Sequence, residues 1–65
     1  MELVINGTKR ELAAETVADV LRLLGLSGRP VMVEADGQVL KIEQWETTPV
    51  VPGMKLELVH FVAGG

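Results

Sequence analysis

The chain opens and closes on two-residue alternation and carries a helical spacing between. In the opening stretch MELVIN, Leu3 and Ile5 alternate with Glu2, Val4 and Asn6, the period of a strand with one buried face. Asn6-Gly7 follows, and tight hairpin turns favour this dipeptide because both positions need positive φ. The return stretch TKREL is polar, with Leu12 as its inward residue and Lys9 and Arg10 guarding an exposed edge. Val17, Val20, Leu21 and Leu24 then fall at i, i+3, i+4 and i+7, one apolar stripe of a helix. Thr16 caps that helix, Asp19 completes a variant of the capping box, Gly25 stops it, and Leu26 folds back on its last turn. VMVEA and QVLK form a second strand pair around Asp36-Gly37. Ile42 and Trp45, three apart, predict one short helical turn that tucks the indole inward. Pro49 and Pro52 break anything longer, and Pro52-Gly53 signals a turn. In the closing MKLELVHFV, Leu56 and Leu58 share one face, while Glu57, Val59 and Phe61 share the other.

Hairpin, helix, strand, strand, irregular segment, strand is the order of an α+β domain. One main helix lies across one face of a mixed sheet of four to five strands. The last strand is too apolar for an edge, so its natural place is the centre, beside the first. This is a β-grasp, or ubiquitin-like, arrangement, with one core face and one solvated face.

Composition narrows the function classes. At 65 residues the chain is one domain with a small core, and 48% hydrophobic residues argue for a folded globule. It has no cysteine and one histidine, which excludes disulfides and the usual structural zinc site; no metal or other bound cofactor is expected. The net charge of −3, with the six cations scattered among nine acids, argues against nucleic acid as a partner. No apolar run suits a membrane span, and Met1-Glu2-Leu3-Val4 does not open like a signal peptide; the expected location is the cytoplasm. No acid–base pair, metal set or nucleophile stands out, so an enzyme is not expected. His60 has no Asp or Ser partner in the pattern, and Glu43 and Glu46 read as solvated surface. Trp45 reads as packing.

Two features remain. If Leu3, Ile5, Leu56 and Leu58 face the helix, then Val4, Val59 and Phe61 face water and should be neighbours, because the first and last strands would pair. A contiguous exposed apolar patch marks a partner site. The chain then ends HFVAGG. A single domain over residues 1–65 is expected, with residues 62–65 as a flexible C-terminal tail. A terminal carboxylate is ionised at neutral pH and a poor acyl electrophile, so it reacts only after activation, for example as an acyl-adenylate. Two glycines make a thread without side chains, thin enough to enter another protein's active site.

The whole chain resembles the ThiS family, sulfur carriers of bacterial thiamin biosynthesis. INGTKREL in the opening hairpin, TVADVLRLLGL in the helix, EQWE in the middle and VAGG at the end carry the likeness. Family members often have an Asp-Gly-Asp-type turn before the last strand. Here Pro52-Gly53-Met54 keeps the glycine and lacks the acids. The resemblance implies a protein co-substrate with the reactive carboxyl on Gly65, and with Gly64 giving the tail access. Val4, Val59, Phe61, Val62 and Ala63 would contact partners. The implied partners are a ThiF-like (E1-like) adenylyltransferase that consumes ATP, a cysteine desulfurase or other sulfur donor, and a ThiG-like thiazole synthase. Two other readings stay open: a carrier for molybdopterin or another sulfur metabolite, and a ubiquitin-like binding module without covalent chemistry.

Overall fold

The computed structural model describes residues 1–61. Strands β1 (Glu2–Ile5), β2 (Thr8–Glu11), β3 (Val31–Ala35), β4 (Gln38–Leu40) and β5 (Lys55–His60) form a single sheet in the order β2-β1-β5-β3-β4. Helix α1 (Val17–Leu23) and one 3₁₀ turn (Ile42–Gln44) complete the elements. The last strand is therefore central, as expected. It runs parallel to β1 and antiparallel to β3. Both outer pairs are antiparallel hairpins.

Local chemistry sets the joints. Asn6 and Gly7 have φ of 49° and 81°, and Asp36 and Gly37 have 48° and 88°. Two consecutive positive φ values match the right-handed twist of the flanking strands. At α1, the Thr16 hydroxyl accepts from the Asp19 N–H at 3.2 Å, and the Asp19 carboxylate accepts from the Glu15 and Thr16 N–H groups. Those backbone donors at Glu15 and Thr16, followed by the Arg22 guanidinium, hold the Asp19 pKa below its ordinary 3.8. The C-terminus closes in a Schellman motif: Leu26 N–H donates to Leu21 C=O at 2.8 Å and Gly25 N–H to Arg22 C=O at 3.1 Å. The segment after the 3₁₀ turn meets the other end of α1. Val17 and Ala18 N–H, which have no acceptor within the helix, donate to the Thr48 and Trp45 carbonyls, both at 3.0 Å.

The core lies between α1 and one face of the sheet. Leu3, Val17, Val20, Val33 and Leu56 are completely buried, with Ile5, Leu21, Val50 and Leu58 around them. Leu12, Leu26 and Trp45 pack against this cluster while partly exposed. The 3₁₀ turn carries the indole inward, as expected, and leaves Ile42 outside, 72% exposed. Among the described residues no helix is long and apolar enough to cross a membrane.

Candidate functional site

The helix covers one face of the sheet, and the alternation along each strand decides what the other face shows. Leu58, paired with Val33, points into the core. Its neighbours Glu57 and Val59 therefore point outward, as does Phe61 after the strand. Val59 and Phe61 are 44% and 53% exposed. β5 continues one residue beyond its last strand position: Phe61 N–H donates to Pro30 C=O at 2.8 Å, so β3 still guides the chain there.

The patch differs in membership from the one expected. Val4 pairs with Lys55, at the far end of β5 from Val59, and is half-buried. The parallel register thus separates Val4 from Val59 and Phe61 instead of making them neighbours. The residue directly opposite Val59 is Met32 of β3, itself exposed. Met32, Val59 and Phe61 form the apolar group at the end of the sheet where β5 leaves it. Glu34 and Glu57, opposite one another two register positions on and so the next pair on the same face, border it. Met32 was legible in principle: in VMVEA it alternates with Val31 and Val33 and so must face away from them. What the pattern lacked was the knowledge that β3 lies beside β5. The other residues expected to act, Val62, Ala63, Gly64 and Gly65, lie outside the described residues.

A concavity of about 420 Å³ lies between α1 and the 3₁₀ turn, away from that patch. Leu21, Ile42 and Trp45 line it, and Arg22 and Glu46 stand at its mouth, 3.9 Å apart. The Trp45 Nε1 is enclosed and has no hydrogen-bond partner among the described residues. No cluster of three or more His, Asp or Glu side chains suited to a metal ion occurs among the described residues. The described surface thus presents a group of exposed apolar residues at the end of β5.

Comparison with known proteins agrees with this architecture. The ThiS family model matches residues 3–65. The crystal structure of the thiamine biosynthesis protein ThiS from Geobacter metallireducens superposes with a TM-score of 0.82 at 33% identity, over 100% of both chains. A curated thiazole synthase from Paramagnetospirillum magneticum is 39% identical over 66 residues. That match takes in 100% of this chain and 20% of the relative, so this chain spans about one fifth of the relative's length.

Proposed function

This chain belongs to the ThiS family, a family of small sulfur carriers with a ubiquitin-like β-grasp fold, and from that premise we propose that it delivers sulfur as a C-terminal thiocarboxylate on Gly65. The observation that carries the reading is the extent of the family match, which runs through the whole domain and on to Gly64 and Gly65. The fold adds a reason for the site's location. β5 is clamped in the middle of the sheet, and it ends beside Met32, Val59 and Phe61. A partner that docks on this apolar group holds the domain while the glycine thread reaches the partner's active site.

The chemistry runs in three steps, each on a partner enzyme. A Gly65 carboxylate oxygen attacks the α-phosphorus of ATP on a ThiF-like adenylyltransferase, and pyrophosphate leaves. The terminal sulfur of a persulfide, loaded from cysteine by a desulfurase, attacks the acyl carbon and expels AMP. A thiol then cleaves the resulting disulfide and leaves the thiocarboxylate. A thiazole synthase takes up that sulfur. The similarity to a protein called thiazole synthase favours this consumer over a molybdopterin pathway. The carrier contributes no acid, base or metal; it is a co-substrate acting in the cytoplasm.

Intact-mass spectrometry tests the proposal. The protein from its own cell shows whether Gly65 carries the free carboxylate. Incubation with ATP, the adenylyltransferase, a desulfurase, cysteine and a thiol should then replace one oxygen by one sulfur. An unchanged mass, with binding to the same partners intact, would make the domain a ubiquitin-like binding module instead.

A further inference from the structure

β1 stops pairing with β5 earlier than β5 stops being a strand. The backbone pairing of the two ends at Ile5 with Leu56, and Asn6 N–H adds a last bond to Leu56 C=O at 2.9 Å. In a regular parallel ladder the next acceptor along β1 would be the Asn6 carbonyl, bonded to Leu58 N–H. Asn6 instead turns into the hairpin with φ of 49°, which swings its carbonyl off that line. Its side chain takes over. Leu58 N–H donates to Asn6 Oδ1 at 2.7 Å, and Asn6 Nδ2 donates to Leu58 C=O at 3.2 Å. A carboxamide has the donor and acceptor of a peptide group, so it pairs with both backbone groups of Leu58 at once. The two residues are 52 apart in sequence, and the contact is partly buried.

This bridge has a mechanical role. Beyond Leu56, β5 is held on its other side by β3, through Val31, Met32, Val33 and Glu34. Among the described residues, the Asn6 side chain is the one hydrogen-bonding group that holds this last part of β5 from the β1 side. Val59 and Phe61 follow directly in the chain, ahead of Gly64 and Gly65. We infer that Asn6 is a positioning residue for the carboxyl-terminal reaction: it fixes the exit of β5 so that a docked domain delivers its terminal carboxylate to the reacting phosphorus. The inference rests on the carrier reading proposed above.

Two substitutions separate this role from the turn. Asn6→Gly keeps the positive φ at no steric cost and removes the carboxamide. Asn6→Asp also suits the turn and keeps an acceptor for Leu58 N–H, but it cannot donate to Leu58 C=O. The measurements are circular dichroism and urea unfolding for folding, amide hydrogen exchange at Leu58 for the bridge, and adenylation kinetics with the carrier as the varied substrate. For Asn6→Gly we expect a folded domain and faster exchange at Leu58. Its kcat should fall by roughly tenfold, since displacing a reacting group by a fraction of an ångström to an ångström acts on the chemical step. Its KM should stay within about twofold of the parent, because KM tracks docking when chemistry is slow. Asn6→Asp should lie between the two. Unchanged kcat in Asn6→Gly, with Leu58 exchange accelerated, would overturn the inference, as would a loss confined to KM. A parent protein that is not adenylated at all would instead sink the carrier reading and this inference together.

Discussion

Leu56 offers the sharpest test of the reading that the last strand is the middle of the fold. It is fully buried, paired across β5 with Ile5 on one side and Ala35 on the other. Leu56→Ala removes three carbons from this position. At about 0.8 kcal/mol for each buried methylene, transfer alone accounts for ~2.4 kcal/mol. The cavity left behind adds to this, because neighbours fixed in paired strands collapse only partly, so the total should be about 3–5 kcal/mol. A domain of this size has a total stability of about 3–10 kcal/mol, and the variant should therefore sit near the edge of folding. Ile42→Ala is the matched control, since Ile42 is a large aliphatic residue at 72% exposure and should lose under ~0.5 kcal/mol. Urea unfolding followed by far-ultraviolet circular dichroism gives both numbers, and Trp45 fluorescence provides an independent probe of the same transition. A Leu56→Ala loss below about 1 kcal/mol, or one no larger than that of Ile42→Ala, would refute the central placement of β5, because such small values belong to surface sites.

Other outcomes follow from the same geometry. Val59→Asp and Phe61→Asp should leave the circular dichroism spectrum unchanged yet weaken binding to the adenylyltransferase by ~2 kcal/mol or more by calorimetry, the scale of a desolvated interface contact; unaltered affinity in both would remove the patch from docking. Deleting Gly65, or Gly64→Val, should abolish pyrophosphate release with folding intact, the first by retracting the carboxylate up to ~3.5 Å and the second by stiffening and widening the thread. Thr16→Ala should cost about 1 kcal/mol through loss of the helix cap. Asp19, whose pKa is lowered in the folded chain, stabilises the fold above its unfolded value of 3.8, and that contribution disappears as pH falls through the lower folded value. The gap in urea midpoint between parent and Asp19→Asn should accordingly shrink below about pH 4; a pH-independent gap would show that charge on Asp19 is irrelevant.

The parts of the fold readable in advance were those whose causes are local. Asn6-Gly7, Asp36-Gly37 and Pro52-Gly53 turn the chain because of what those residues allow at their own φ. Thr16 and Asp19 cap α1 across three residues, and Gly25 stops it. The inward faces of β1 and β5 follow from alternation alone. What sequence could not supply was the offset between strands distant along the chain. Val4 lies opposite Lys55 because long-range packing sets the parallel register, and that offset moves Val4 away from Val59 and Phe61. Met32 entered the candidate site for the same reason, through the placement of β3 beside β5. The use of Asn6 was hidden more deeply: its turn chemistry is visible in a dipeptide, whereas its side-chain pairing with Leu58 exists only once both ends of the chain meet.

The central position of β5 also bears on how the protein is made. A ribosome releases β1 first and β5 last, yet β5 joins the two hairpins, β1 with β2 and β3 with β4, into one sheet. A nascent chain that has not yet emerged past Lys55 holds two separate hairpins and a short amphipathic helix, each too small to be stable alone. Completion of the core thus waits for the segment from Lys55 onward. Chains terminated before Lys55 have neither the assembled core nor the patch formed by Met32, Val59 and Phe61, and are left open to cellular proteases.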